Sequence, residues 1–115
     1  MTEKIKNLKS GLGEGEMVIK ASGGGPISFV SGAKGGYLYL TNKKIIHETI
    51  FGKRTMEIDI QNIGEVMVGT YSMLLMILPI MKCVHIYMKT PGVKYKLNVT
   101  DKIGWMMAIK ETMKA

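Results

Sequence analysis

The chain has 115 residues and a formal net charge of +7, a length that fits one domain with one core. Hydrophobic residues at 46% against 22% charged exclude a disordered chain, and a single cysteine, Cys83, excludes an internal disulfide. The basic balance suits an anionic partner, yet fifteen of the sixteen basic residues are scattered lysines and only Arg54 offers a planar fork. A solvated basic surface and a true anion-binding face both fit.

In chain order, "MTEKIKNLKS" is charged and lacks the apolar core of a secretion signal, so the expected location is the cytoplasm. Residues 1–12 read as an N-terminal segment in which Ile5, Leu8 and Leu12 space a short helix. The glycine-rich "SGGGPISFVSGAKGG" (22–36) lacks the Gly-Lys-Ser/Thr ending of a phosphate loop and reads as a flexible connection between the first two strands. "YLYL" (37–40), the Thr41-Asn42 turn and "KKIIHET" (43–49) read as strand, turn, strand. Beyond a turn at Gly52-Lys53, Met56, Ile58 and Ile60 alternate with Glu57 and Asp59, and "IGEVMV" (63–68) is a further strand.

Residues 73–81, "MLLMILPIM", form an apolar run too short to span a bilayer as a helix. Three readings stay open for Met73, Leu74, Leu75, Met76, Ile77, Leu78 and Ile80. They prolong a core strand until Pro79 ends it, they form a homo-oligomer interface, or they insert into a bilayer. Then "CVHIYMKT" (83–90) sets Val84, Ile86 and Met88 on one face, and the Pro91-Gly92 turn leads to Val93, Tyr95, Leu97 and Val99 alternating with polar residues. The two form an antiparallel hairpin. A final helix, "KIGWMMAIKETMK", is capped by Thr100 or Asp101 and turns Trp105, Met106, Ile109 and Met113 toward the sheet.

Catalytic and metal chemistry find little support. Cys83 and His85 share a strand face, but residues two apart on a strand seldom make the hydrogen bond that activates a thiol, and no carboxylate is placed to orient the ring. A Cys-His hydrolase is the remote alternative. One cysteine and two histidines fall short of a zinc site. No cofactor is expected. "NVT" (98–100) is a chance sequon without a secretion signal, and nucleic acid is disfavoured because no aromatic residue is interleaved with the lysines.

Read together, "GEGEMVIKASG", "GGYLYLTNKKIIHET", "EIDIQNIGEV", "IYMKTPGVKYKLNV" and "DKIGWMMAIK" resemble the GRAM-type, pleckstrin homology (PH)-like family, in order from about residue 13 to 113, which makes residues 13–115 the domain. That resemblance implies a mainly β fold: a bent seven-stranded antiparallel barrel capped by one C-terminal helix. It also implies a non-enzymatic module that binds membranes, phosphoinositides or proteins. Under the family geometry the loops after the first, third and sixth strands share one open end, gathering Lys20, Lys34, Lys53, Arg54, Lys89 and Lys94 into a rim for an anionic lipid headgroup. The family's basic-x-Arg triplet is replaced by Gly35-Gly36-Tyr37, so the rim is expected to attract an anionic membrane surface weakly, at about 1 kcal/mol per lysine. The alternative is a protein-interaction module that self-associates through residues 73–81, at the opposite end.

Overall fold

The computed structural model describes residues 8–28, 32–33, 35–71 and 81–115. Among the described residues, two antiparallel sheets, a short 3-10 turn (Ile60–Asn62) and one α-helix make up the fold. The strands are β1 (Val18–Gly23), β2 (Gly25–Ser28), β3 (Gly32–Ala33), β4 (Tyr37–Thr41), β5 (Lys44–Glu48), β6 (Arg54–Asp59), β7 (Ile63–Tyr71), β8 (Met81–Met88) and β9 (Lys94–Asn98), followed by α1 (Lys102–Lys114). One sheet has the order β1-β4-β5-β6 and the other β3-β2-β9-β8-β7.

The alternating apolar positions do what their period demands. Leu38, Leu40, Ile45, Ile58, Val66, Val84, Ile86 and Leu97 turn one face of each sheet inward and are buried with Trp105 and Ile109 of α1. Each such side chain contributes about 1.5–3 kcal/mol through removal from water. Asp101 caps the helix by accepting from Gly104 N, and Trp105 Nε1 donates to Ser22 Oγ of β1 at 3.0 Å. Met106 and Met113 pack against the same core, so the expected arc of the helix is the observed one.

The expected β8–β9 hairpin forms, in the register Tyr87↔Lys94 to Val84↔Leu97. The glycine-rich stretch departs from expectation. It reads as a loop, yet it contains the end of β1, all of β2, and β3. Its glycines supply bends between sheets. Gly24, at φ +144°, lies so close to the carbonyl of Asn98 that a Cβ would meet it at 2.3 Å, and Gly36, at φ +116°, lies equally close to the carbonyl of Glu48. Gly24 alone separates β1 from β2, which belong to different sheets.

Of the N-terminal segment, only residues 8–12 are described, so the expected short helix lies mostly outside the described residues. Residues 8–12 form a turn and irregular chain, with Leu12 exposed, while Ile5 lies outside the described residues. Residues 9–16 are bonded to the outer face of the four-stranded sheet. Lys9 N and Ser10 N both donate to the carboxylate of Glu48, and Thr41 Oγ1 donates to Glu16 Oε2.

Candidate functional site

Strand register sets where the basic residues lie. Gly23↔Tyr37, Tyr37↔Glu48 and Glu48↔Arg54 put the end of β1 in one row with the turn between β5 and β6. From that row the chain passes through Gly24 into β2. There Gly25↔Asn98 and Pro26↔Leu97 carry it toward the start of β9 and the β8–β9 turn. The turns holding Lys53 and Lys89–Lys94 therefore lie at ends reached by one direction of travel. The 73–81 run joins β7 to β8 at the other end of that hairpin, where Tyr71 pairs with Met81. Its seven interface candidates, Met73, Leu74, Leu75, Met76, Ile77, Leu78 and Ile80, fall outside the described residues.

The six rim candidates divide in three. Lys53, Lys89 and Lys94 are exposed, and none of them makes an ion pair among the described residues. Lys94 Nζ stands 5.3 Å from the ring centre of Tyr87, an exposed cation–π contact that leaves the charge on the surface. Lys20 and Arg54 are engaged within the fold. Lys20 does not follow the first strand as expected; it lies within β1, opposite Leu40, with its amine 3.4 Å from Asp101. The reason is that β1 runs on to Gly23, where the glycine-rich composition reads as a loop. Arg54 donates from Nε to Ser10 Oγ and from Nη2 to the Gly11 carbonyl, and pairs with Glu57 at 3.4 Å. Its guanidinium fastens the N-terminal segment. Lys34 falls outside the described residues.

The turn between β5 and β6 holds two residues that the sequence reading passes over. Ile50 is 57% exposed and Phe51 is 88% exposed. The signal was present, because an aromatic residue in "TIFGKR" precedes the turn glycine and sits on no strand face. The turn is internally bonded: Thr49 N donates to the Lys53 carbonyl, Gly52 N to the Thr49 carbonyl, and Lys53 N to Thr49 Oγ1. Gly52, at φ +87°, lies against the stem of Lys9, whose amine reaches the Ile50 carbonyl at 3.4 Å.

Cys83 and His85 come closer than strand geometry leads one to expect, with Sγ 3.4 Å from Nε2. Nε2 also lies 3.0 Å from the Thr70 carbonyl, an acceptor only, so that nitrogen carries the proton and donates. Burial pushes the Cys83 thiol up, above its ordinary value. Burial likewise pushes His85 down, and the charges of Lys94 and Lys96 add to that direction. A nucleophilic pair needs the reverse, a thiolate beside an imidazolium. No cluster of three metal-ligating side chains occurs among the described residues. His47 is buried against Thr55 and the Gly35 carbonyl, tying two strands and the second bend together.

This arrangement of sheets and helix is shared with known structures. The Vps36 N-terminal PH domain superposes with a TM-score of 0.66 at 15% identity, covering 90% of this chain and 83% of that one. The fold is PH-like. The C-terminal domain of an unknown protein from Leishmania infantum matches at TM-score 0.64 and 14% identity, over 88% of this chain and 87% of that one. The hSac2 domain from human phosphoinositide phosphatase Sac2 matches at 0.62 and 13%, over 97% of this chain and 75% of that one. No protein-family model matches the sequence, and no curated protein does. Among the described residues, no helix is long and apolar enough to cross a membrane.

Proposed function

We propose that the chain is a non-catalytic binding module of GRAM type whose basic end engages an anionic membrane surface. In this reading β1 with β2, and β3 with β4, are each one strand bent at a glycine. The nine segments then become the seven strands of a bent barrel plugged by α1. One observation carries the functional step: Lys53, Lys89 and Lys94 are exposed, free of carboxylates among the described residues, and set at strand ends reached by one direction of travel. Lys34, three residues before the start of β4, is counted with the rim on the family resemblance alone. The likeness to a domain of a phosphoinositide phosphatase is consistent with lipid as the partner. Lys20 and Arg54 act here as fastenings within the fold.

Charge at a surface acts through its field, so the module binds anionic vesicles in a salt-dependent way and neglects neutral ones. Lys53→Glu with Lys89→Glu lowers vesicle affinity by at least ~tenfold, since each lysine near such a surface contributes about 1 kcal/mol. Co-sedimentation with phosphatidylserine vesicles reads this directly. Unchanged binding of the double variant would overturn the proposal.

Self-association through residues 73–81 is the second reading, resting on the apolar sequence of that connection. Light scattering of the wild type and of Leu75→Asp decides it: an oligomer that becomes a folded monomer supports an interface, and a monomeric wild type removes it.

A further inference from the structure

We infer that Ile50 and Phe51 form a wedge that enters the interfacial layer of an anionic bilayer, with Lys9 and Lys53 seating on headgroups beside it. The inference rests on the membrane reading above and deepens it, by adding an apolar contact that charge alone does not supply.

Two large apolar side chains stand next to each other at the tip of the β5–β6 turn, and Phe51 is the most exposed of the large hydrophobic residues described, at 88%. Isolated exposed apolar residues are ordinary, but an adjacent pair on a projecting turn is a patch. Among the described residues, the unpaired charges beside it have one sign. Lys9 lies against Gly52 with its amine on the Ile50 carbonyl, and Lys53 follows in sequence. The segment Thr49–Arg54 contains no acidic residue. The carboxylates nearest in sequence are occupied: Glu48 is buried under two backbone N–H groups, and Glu57 is paired with Lys44 and Arg54.

An apolar tip in a cationic collar is complementary to one kind of surface, apolar below and anionic above. That is the acyl–headgroup boundary of an anionic leaflet. A soluble polyanion would meet the lysines and leave the phenyl ring in water. The turn is already shaped for insertion. Its three internal hydrogen bonds and the Lys9 contact fix the tip before binding, so little ordering entropy opposes entry. The wedge also lies at the end of the molecule to which β1 runs, the same direction that leads to Lys89 and Lys94. Both contacts can therefore face one membrane.

The test uses the full chain and vesicles of phosphatidylcholine with phosphatidylserine. Phe51→Ser lowers affinity by roughly tenfold through lost apolar burial while keeping the salt dependence of the wild type. Phe51→Trp places an indole at the tip, and lipids brominated along the acyl chain quench it on binding. Trp105, fully buried, is the internal control, and the emission of the wild type stays unquenched. Folding of both variants is verified by urea unfolding, where so exposed a position leaves the midpoint unmoved. Sedimentation of the Phe51→Trp protein with anionic vesicles, without quenching, would overturn the wedge and leave the charge reading standing. Failure of the wild type to sediment at all overturns both. A wild-type dimer that Phe51→Ser converts to a monomer would assign the tip to a second copy of the chain and likewise reject insertion.

Discussion

The outer faces of the two sheets are treated in opposite ways. On the four-stranded sheet, Tyr39, Ile46 and Glu48 point away from the core and are nonetheless buried, and the chain's own residues 9–16 are bonded to Glu48 and Thr41 of that face. The polar atoms there have partners: Glu48 takes two backbone N–H groups, Thr41 bonds Glu16, and Arg54 holds Ser10 and Gly11. On the five-stranded sheet the outward-facing His85 is also buried. Its Nδ1, however, has no hydrogen-bond partner among the described residues, and its neighbour Met67 is 38% exposed. A face roofed by polar backbone must satisfy every donor it covers, because an orphaned donor costs about 1–3 kcal/mol. The other face carries a titratable group that stays neutral because it is buried.

The strongest way to break this contrast is to remove the acceptor that anchors the roof. Glu48→Gln keeps one carbonyl oxygen but turns an amide NH2 toward a backbone N–H, so one part-buried donor loses its partner on a buried side chain. The expected loss is about 2–3 kcal/mol, read as a lower urea midpoint with an unchanged slope. A midpoint shift within error would show that residues 9–16 add nothing to the stability of the sheet.

Arg54 and Lys53 sharpen the comparison at its boundary. They are adjacent in sequence and opposite in use, Arg54 bound into the roof and Lys53 exposed with no ion pair among the described residues. Arg54→Ala should reduce stability by about 1 kcal/mol, a modest value because the ion pair with Glu57 is partly solvated. It should leave phosphatidylserine-vesicle binding near the wild-type level. Lys53→Glu should do the reverse, weakening vesicle binding with stability within about 0.5 kcal/mol of wild type. If Arg54→Ala impaired binding as much as Lys53→Glu, the guanidinium would belong to the rim after all.

Alternation made most of the architecture readable in advance. Val84, Ile86 and Met88 against Cys83 and His85, and Leu97 and Val99 against Lys96 and Asn98, announce strands whose inward set is unambiguous. The observed hairpin follows from the Pro91-Gly92 turn between them. The arc of Trp105 and Ile109 announced the helix in the same way. Two kinds of residue were not legible. Gly24 and Gly36 look like loop composition, because sequence does not show that a neighbouring carbonyl 2.3 Å from a would-be Cβ forbids any other residue. Lys20 and Arg54 look like free cations, because a local pattern does not show that Asp101, eighty-one residues away, or Gly11, forty-three away, will occupy them. Phe51 was readable in principle. An aromatic residue outside every alternating run has no core position to fill.

The smallest expected effect tests the outer face of the five-stranded sheet, through pH. Burial holds His85 neutral in the fold, so its folded pKa lies below the unfolded value of about 6.5. Below that value the unfolded chain takes up a proton that the folded chain resists. Its stability contribution is thus complete above about pH 6.5 and is lost progressively as pH falls toward the folded pKa. Glu16 and Glu57, whose pKa values are lowered in the fold, lose their contributions only further down, beneath the ordinary carboxylate value of 4.5. Between about pH 7.5 and 5 the histidine term is therefore separable from theirs. His85→Gln keeps an N–H for the Thr70 carbonyl and removes the titration. Urea unfolding across that window should show wild-type stability falling more steeply toward acid than that of the variant, with His47 common to both. Parallel slopes would mean that the ring gains its proton as readily in the fold as out of it. The buried Nδ1 would then have found an acceptor on that face, and the contrast between the two faces would disappear.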